Sequence, residues 1–455
     1  MPAMTCFKAY DIRGIVGRDL TPEIAFLIGR AFAQTLAAKS VVIGRDCRPS
    51  SIELQQATAR GLMAAGADVL DLGLCGTEEV YHAATHFGAD GGIEITASHN
   101  PAEYNGMKMV RRGSAPLDPN TDLVAIRALA ESQLFLPSIA GNIRPALGAR
   151  AAYVADVLGF IDTANLKPLT ILVNAGNGAA GPTFDAIAAA LHQTPLRFIR
   201  HNHVPDGRFP NGVPNPQLVQ NHAMTADAVI SAGADMGVAW DGDFDRCFLF
   251  DHTGAFIAGE YIVGLLAKAY LAKEPGAKIA YEPRVIWNTE DIIAAAGGQG
   301  MLSRTGHSHM KRALRDHNAA YGGEMSAHHY FRDFMACDSG MIPWLMIAEL
   351  MGRTGQSLAD LIAPRIAAFP SSGELNFTLT DQNSAVARVR RALSPDALSI
   401  DETDGLSLTF PDWRMNLRQS NTESLLRLNV EARGDRRLVD SAVAKISALI
   451  TDSTL

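Results

Sequence analysis

The chain has 455 residues and a mass of 48.6 kDa, which at about 150 residues per domain suggests about three domains. Hydrophobic residues make up 47% and charged residues 19%, so the composition is that of a globular protein and excludes a disordered or fibrous chain. The formal net charge of −8 and the pI of about 5.9 argue against a dedicated nucleic-acid or anionic-membrane binder.

The cysteines and the apolar runs indicate the cellular compartment in which the protein is expected. The five cysteines are odd in number and include no CxxC pair, which predicts free thiols in a reducing cytoplasm. The best candidate for a membrane span, residues 262–272, contains Lys268 and is too short. The N-terminus lacks the apolar core of a signal peptide. We therefore expect a cytoplasmic protein without a membrane anchor.

A pattern of secondary-structure signals is repeated three times along most of the chain. A β-rich run meets a turn and then an amphipathic run near residues 41, 171 and 279, and each time a polar loop follows, at 91–101, 236–246 and 319–331. This alternation predicts parallel sheets covered by helices, with the loops at the carboxyl ends of strands. The alternative is the self-similarity that all α/β proteins share.

The fold class follows from this repeat and from a change in residue pattern after residue 366. There, GELNFTLT and LSLTF have the pattern of strands, and residues 438–450 have the pattern of a helix. We predict three similar α/β domains with mixed, mostly parallel sheets and a smaller C-terminal α+β domain. They are arranged around a central active-site cleft. The predicted domains span residues 1–148, 149–252, 253–366 and 367–455.

The strongest chemical signal is DGDFDR, in which Asp241, Asp243 and Asp245 alternate at the end of an apolar run. Three such carboxylates converge on one side of an extended segment and repel one another unless a cation lies among them. Oxygen ligands favour Mg²⁺. An EF-hand is excluded, because Arg246 and His252 occupy the positions of its glycine and glutamate. A solvated acidic turn is the alternative, and it fits the apolar flanks poorly.

Other polar loops are less specific on their own. In TASHNP, Ser98 and His99 are neighbours, which is weak evidence for catalysis, and a structural turn is the alternative. In GGEMSAHHYF, Glu324 and Ser326 suit sugar hydroxyls, whereas His328 and His329 fit either a buried role or a metal. The tail loop combines groups that suit a phosphate, or else forms a polar turn; these are Arg418, Ser420, Asn421, Thr422 and Glu423.

The segment 176–181 matches the GxGxxG pattern of dinucleotide-binding proteins. No acidic residue ends the next strand, LRFIRHN, where the ribose of a dinucleotide would need one. We therefore expect a tight strand-to-helix turn and no bound NAD.

The four loops together carry a family resemblance. TASHNP, DGDFDR, GEMSAHH and RQSNTE, in this order and spacing, resemble the active-site loops of the α-D-phosphohexomutases, and most closely those of the bacterial phosphomannomutase/phosphoglucomutase branch. The resemblance extends from KAYDIRG at 8–14 to the tail domain. It implies a heart-shaped molecule with one loop per domain: a phosphoserine loop, a metal-binding loop, a sugar-binding loop and a phosphate-binding loop.

The resemblance also implies roles for individual residues. Ser98 would carry a phosphoryl group against Mg²⁺, which Asp241, Asp243 and Asp245 would hold. The other residues implied in catalysis are Arg13, Lys108, His99, Arg304, His307 and His328. Those implied in substrate binding are Tyr10, Arg246, Glu324, Ser326, Arg418, Ser420, Asn421 and Thr422.

By this resemblance the chain is expected to be a phosphomannomutase, and also a phosphoglucomutase, acting through a phosphoserine and a hexose 1,6-bisphosphate. Mannose and glucose phosphates would be its small-molecule partners, and its product would be used in GDP-mannose synthesis. The protein would be a monomer or a dimer. Two departures stand out: Arg304 replaces a usual Lys, and Ser424 replaces a usual Pro. The alternatives are a metal-dependent sugar phosphatase and a catalytically degenerate sugar-phosphate-binding protein.

Overall fold

The computed structural model describes residues 4–419 and 425–451. The described residues divide into two compact units. The first contains residues 4–256 and 328–355, and the second contains residues 257–327 and 356–451, apart from the gap at 420–424. The predicted boundaries at 148, 252 and 366 remain predictions.

The first unit begins with a mixed sheet of six strands in the order β1-β5-β4-β2-β3-β6. Its strands are β1 (Ile12–Ile15), β2 (Ser40–Arg45), β3 (Asp68–Leu74), β4 (Gly91–Ile95), β5 (Tyr104–Arg111) and β6 (Ile143–Pro145). The helices that accompany them are α1 (Pro22–Thr35), α2 (Pro49–Ala64), α3 (Thr77–His86) and α4 (Asp122–Ser132). Strands β2, β3, β4 and β6 run parallel, whereas β5 pairs antiparallel with both β4 and β1.

A second mixed sheet of the first unit has the order β11-β10-β9-β7-β8. Its strands are β7 (Leu169–Asn174), β8 (Leu196–His201), β9 (Met236–Trp240), β10 (Cys247–Asp251) and β11 (Phe256–Ile257, which ends at the unit boundary). Its helices are α5 (Ala149–Leu158), α6 (Ala180–Ala190) and α7 (His222–Ala232). Strands β7, β8 and β9 are parallel, and β10 returns antiparallel beside β9.

The second unit begins with α8 (Gly259–Lys273) and three parallel strands. These strands and their helices are β12 (Lys278–Tyr281), α9 (Trp287–Ala295), β13 (Gln299–Leu302), α10 (His307–His317) and β14 (Tyr321–Gly323). Residues 328–355, which belong to the first unit, form the antiparallel pair β15 (His329–Phe331) and β16 (Cys337–Asp338) and then α11 (Ile342–Thr354).

The C-terminal part of the second unit is an antiparallel sheet in the order β17-β21-β20-β19-β18. It follows α12 (Leu358–Ala368). Its elements are β17 (Leu375–Thr378), α13 (Gln382–Leu393), β18 (Ser399–Asp401), β19 (Leu406–Thr409), β20 (Trp413–Gln419), β21 (Leu425–Ala432) and α14 (Arg436–Thr451). The fold class predicted from the sequence is confirmed in its three mixed α/β sheets and its smaller α+β domain.

The cores explain why these segments adopt these structures. Strands β4 and β9 are buried along their whole length, as expected of strands covered on both faces. Helix α1 is capped at its N-terminus by Thr21, whose hydroxyl accepts from Ile24 N. It packs so closely on α2 that a Cβ at Gly61 would lie 2.0 Å from Phe26 O. In the described part of the chain no helix is both long and apolar enough to span a bilayer.

Candidate active site

The loops predicted to carry chemistry follow the carboxyl ends of parallel strands. TASHNP follows β4, DGDFDR follows β9, and GGEMSAHH begins at the end of β14. Each loop holds one non-glycine residue in the left-handed region: Ser98 (φ 49°), Phe244 (φ 48°) and Ala327 (φ 67°). Such a conformation costs about 1–3 kcal/mol and persists only where the surroundings enforce it. The strain therefore marks these loops as sites where side-chain direction matters.

In the first unit, the TASHNP and DGDFDR loops meet. The hydroxyl of Ser98, which is 2% exposed, donates to Asp241 Oδ2 at 2.7 Å. His99 Nδ1 lies 3.0 Å from the same Ser98 Oγ. Burial lowers the pKa of His99 well below its usual value, and the nearby charge of Arg246 lowers it further. A neutral His99 with its hydrogen on Nδ1 therefore completes the hydrogen bonding of the serine.

The close approach of the two loops requires a glycine. A Cβ at Gly242 would lie 2.4 Å from the carbonyl oxygen of Ser98. Gly178, in the segment that matches the dinucleotide pattern, lies against this same turn, because its Cβ would be 2.9 Å from Gly242 O. The glycines of 176–181 thus have a packing role in a strand-to-helix turn, as predicted.

The three aspartates form a buried cluster. Asp241 and Asp243 are fully buried and Asp245 is 2% exposed, and one carboxylate oxygen from each lies within 4.8 Å of the others. Their Oδ1 atoms are buried without a hydrogen-bond partner. Buried carboxylate oxygens without donors are costly, and they are the ligands that a hard divalent cation takes. The donor set therefore fits Mg²⁺.

Lys108 supplies the positive charge closest to this cluster. Its ammonium group lies 2.7 Å from Asp243 Oδ2 and also donates to Asp245 Oδ2. Burial alone would lower the pKa of Lys108, but the charges of Asp243 and Asp245 raise it above its usual value. Lys108 is therefore protonated while both carboxylates face it.

The pKa values of the aspartates follow from their surroundings. Burial raises the pKa of Asp241 and of Asp243, and repulsion from Asp245 adds to both shifts. Burial would also raise the pKa of Asp245, but the charge of Lys108 lowers it well below its usual range. Lys108 and Arg246, which lies 3.8 Å from Asp241, thus bring two positive charges against three carboxylates, which leaves a requirement for further positive charge.

Two arginines contact the loops from outside the aspartate cluster. Arg13 donates to Ala97 O at 3.3 Å and also to Asn100 Oδ1, so it is placed on the serine loop. Arg246 Nε lies 3.8 Å from Asp241 Oδ2 and donates to His328 Nε2 at 3.2 Å. The same Nε2 of His328 lies 3.5 Å from Asp245 Oδ1, so His328 stands between Arg246 and the aspartate cluster.

The second unit holds another group of predicted residues. Glu324 Oε1 accepts from Gly306 N at 2.7 Å, just before His307 at the start of α10. Arg304 is exposed, and Ser326 is partly exposed. Arg418 is 5% exposed, and its Nε is buried without a hydrogen-bond partner. Ser420, Asn421, Thr422 and Ser424 lie outside the described residues, as does Glu423.

The surroundings of Arg418 include residues that sequence analysis missed. Arg284 donates to Glu282 and, at 2.8 Å, to Glu374. Arg418 lies 3.9 Å from Glu374 and 3.9 Å from Asp404. Burial lowers the pKa of Arg418, and repulsion from Arg284 adds to the shift. The available signal for Glu282 and Arg284 was their place directly after the parallel strand β12.

A missed residue in the first unit is Arg48, which follows β2 and is fully buried. It donates to the carbonyl oxygens of the serine loop at 2.6–3.1 Å; these belong to Ser98, Asn100, Pro101 and Tyr104. Its Nε lies 3.2 Å from Asp46 Oδ2. Arg48 thus holds in place the backbone of Ser98 and of the segment that follows it.

Tyr10 precedes β1 and is partly exposed.

Asp338 lies near His328, with 4.0 Å between Asp338 Oδ2 and His328 Nε2. Asp245, His328 and Asp338 form a second buried group whose polar atoms lie within 4.8 Å of one another. The sequence prediction had singled out only the first two of these three.

Relatives place the whole chain in one family. Models of the phosphoglucomutase/phosphomannomutase family match residues 4–135 (alpha/beta/alpha domain I), 151–254 (domain II), 258–369 (domain III) and 374–449 (C-terminal domain). The phosphomannomutase of Salmonella typhimurium is 54% identical over 455 residues, covering 99% of this chain and 100% of its own. The phosphohexose mutases protein of Xanthomonas campestris is 51% identical over 450 residues, covering 98% and 99%.

A solved structure gives the same result for the fold. A phosphoglucomutase/phosphomannomutase family protein from Burkholderia thailandensis superposes with a TM-score of 0.89 at 31% identity, covering 100% of this chain and 99% of that one. The family resemblance stated from the four loops is thereby confirmed. The chain belongs to the phosphoglucomutase/phosphomannomutase family, and it is a phosphohexomutase.

Proposed function

We propose that this phosphohexomutase is a phosphomannomutase that also accepts glucose phosphates, and that it interconverts hexose 6-phosphate and hexose 1-phosphate through a phosphorylated Ser98. The observation that carries the proposal is the 2.7 Å hydrogen bond between Ser98 Oγ and Asp241 Oδ2 in a buried triple-aspartate cluster. A nucleophile beside unpartnered carboxylate oxygens is what metal-assisted phosphoryl transfer requires. The identity to phosphomannomutases supports the choice of substrate.

Mg²⁺, held by Asp241, Asp243 and Asp245, would neutralise charge on the phosphoryl oxygens when bound. Lys108 contributes further positive charge, because it stays protonated between Asp243 and Asp245. Arg13 and Arg48 fix the loop of Ser98 by contacts with its carbonyl groups. This preorganisation limits the movement that the loop needs during transfer.

In the forward half-reaction, the bond between phosphorus and Ser98 Oγ breaks and a bond to the free hydroxyl oxygen of the sugar monophosphate forms. The hydroxyl proton must leave to a base, and Ser98 Oγ takes up a proton along its hydrogen bond with Asp241 as it is released. We assign this proton to His328, whose Nε2 lies 3.2 Å from Arg246 Nε and 3.5 Å from Asp245 Oδ1. The product is a hexose 1,6-bisphosphate, which returns its other phosphoryl group to Ser98 after turning around.

In the return half-reaction, Ser98 Oγ forms a bond to the other phosphorus, and the bond between that phosphorus and its sugar oxygen breaks. The proton of Ser98 leaves towards Asp241, and His328 gives its proton to the released sugar oxygen. The hydroxyl of Ser98 already donates to Asp241 Oδ2, and neutral His99 holds its other side. In the second unit, we assign Glu324 and Ser326 to the sugar hydroxyls and Arg418 to the phosphate that does not react. The partnerless Nε of Arg418 supports this assignment, because an anion would satisfy it. Tyr10, Arg304 and His307 complete the proposed set.

The test is turnover of mannose 1-phosphate and of glucose 1-phosphate to their 6-phosphates, with Mg²⁺ and a trace of the matching 1,6-bisphosphate. We expect both conversions, and their loss in Ser98→Ala. Thr183→Val, which removes a buried hydroxyl that donates to Glu79, serves as the control for altered packing. Absence of conversion by wild type whose phosphorylation at Ser98 is verified by mass spectrometry would contradict the mutase. Release of inorganic phosphate that survives Ser98→Ala would instead indicate a phosphatase.

A further inference from the structure

The first turn of α3 lies against the aspartate loop of the first unit. Thr77, the first residue of α3, is fully buried. Its hydroxyl donates to Asp243 Oδ2 at 2.6 Å, and its backbone N–H donates to Asp243 O at 3.2 Å. A single residue from a distant part of the chain therefore holds both the side chain and the main chain of Asp243.

The hydroxyl of Thr77 determines which oxygen of Asp243 is available. Oδ2 is occupied, because it receives the Thr77 hydroxyl and lies 2.7 Å from the ammonium group of Lys108. Oδ1 is buried and has no hydrogen-bond partner. Rotation of the carboxylate would break a hydrogen bond to a charged group, which contributes about 1.5–3 kcal/mol. The carboxylate is thus fixed with Oδ1 free for a cation.

The backbone beside Asp243 is clamped at the same place. The ring of Phe244 fills the space above Gly76, the residue before α3, since a Cβ at Gly76 would lie 2.1 Å from Phe244 Cε1. This packing holds Phe244 in the left-handed conformation described above. The loop therefore has little freedom to compensate for a lost contact at Asp243.

We propose that Thr77 is a positioning residue for the metal: its hydroxyl aims Oδ1 of Asp243 at the cation and thereby raises metal affinity without touching the metal. The inference rests on the proposed metal site of the mutase. Groups that orient a metal ligand in this way commonly change metal affinity by 10- to 100-fold.

The experiment compares direct metal binding to dephosphorylated full-length variants. Mn²⁺ binding is followed by electron paramagnetic resonance and Mg²⁺ binding by calorimetry, so neither readout depends on turnover. We expect Thr77→Val, which keeps the shape but removes the hydroxyl, to weaken binding 10- to 100-fold. Thr77→Ser keeps a hydroxyl that can donate to Asp243. Its metal affinity should therefore stay within about threefold of that of the wild type.

The matched control is Thr183→Val. Thr183 is also fully buried, and its hydroxyl donates to Glu79 Oε2 at 2.7 Å, but Glu79 is not one of the proposed metal ligands. Its metal affinity should match wild type. If Thr77→Val does not fold, as judged by its thermal transition, Thr77→Ala is measured instead, with the same expected loss.

The outcomes separate this inference from the proposed function. Unchanged metal affinity in a folded Thr77→Val or Thr77→Ala, or an equal loss in Thr183→Val, would overturn the role of Thr77. Wild type that binds neither Mn²⁺ nor Mg²⁺ would overturn it as well. A hydroxyl-dependent affinity in a protein without mutase turnover would support the role of Thr77 while refuting the proposed reaction.

Discussion

The hydrogen bonds of Arg48 make a quantitative prediction about the serine loop. Its two terminal nitrogens donate to four carbonyl groups, including that of Ser98, and its Nε pairs with Asp46. Arg48→Lys keeps the charge, but an ammonium group has only three donors and cannot reproduce the planar fork. If two hydrogen bonds to a charged group are lost at about 1.5 kcal/mol each, the native loop loses about 3 kcal/mol.

This loss is comparable to the cost of about 1–3 kcal/mol for holding Ser98 in the left-handed region. The loop of Arg48→Lys is therefore expected to relax away from that conformation and to misplace Ser98 Oγ. A displacement of about 1 Å costs about 100-fold in rate. We expect kcat to fall about 100-fold, whereas the Kd for hexose 6-phosphate changes less than about threefold, since Arg48 is fully buried.

The assay is steady-state turnover, with the Kd measured by calorimetry on dephosphorylated enzyme. Arg388→Lys is the control, because Arg388 also donates to two carbonyl groups, those of Leu449 and Ile450, far along the chain in the C-terminal domain. It should lower the midpoint of thermal unfolding and leave kcat unchanged. A folded Arg48→Lys that keeps more than half of the wild-type kcat would refute the reasoning. Asp46→Asn, which retains the arginine, should lose less activity than Arg48→Lys.

Three further predictions concern the same unit. Saturating Mg²⁺ should raise the midpoint of thermal unfolding, because a ligand at 100 times its Kd stabilises the native state by about 2.7 kcal/mol, and Asp243→Asn should abolish most of this rise in a thermal scan. Gly242→Ala should reduce kcat at least tenfold, because the added Cβ would lie 2.4 Å from Ser98 O; unchanged kcat in a crystal-verified variant would contradict the close approach. Burial raises the pKa of Glu94 well above its usual value, so folding takes up a proton there. Wild-type stability should therefore fall as pH rises above about 4.3, by at most about 1.4 kcal/mol per pH unit for this group. Glu94→Gln should remove this contribution, so that the difference in thermal midpoint between variant and wild type grows from pH 5 to pH 8. A constant difference would show that Glu94 ionises normally.

Much of the fold was predictable because it depends on local patterns. The runs that became β4 and β9 are continuous and apolar, and the loops after them contain the polar residues, so their place at strand ends followed from topology. The tail domain was harder to predict. Its strands β20 and β21 carry the alternation of polar and apolar residues that is typical of a half-buried strand, but only LSLTF and GELNFTLT were identified as strands, because the arginines of β20 adjoin the polar RQSNTE loop.

The parts of the site that escaped prediction act across long distances in the sequence. Thr77 and Asp243 are separated by 166 positions, and Arg48 and Ser98 by 50. Neither Thr77 nor Arg48 belongs to a loop with an unusual composition, so nothing local distinguishes them from ordinary residues at the start of a helix. Their importance depends on which carbonyl or carboxylate the folded chain brings to them.

The first turn of α3 also constrains the order of events during biosynthesis. Three consecutive residues of this turn contact three separate segments: Thr77 contacts Asp243, Glu79 accepts from Thr183, and Glu78 accepts from the backbone N–H groups of Gly340 and Met341. The last of these partners, Met341, follows Glu78 by 263 positions. The ribosome must therefore translate most of the message before this turn has all its partners. Until then the nascent chain exposes two carboxylates that the finished protein buries, and the site matures late in synthesis.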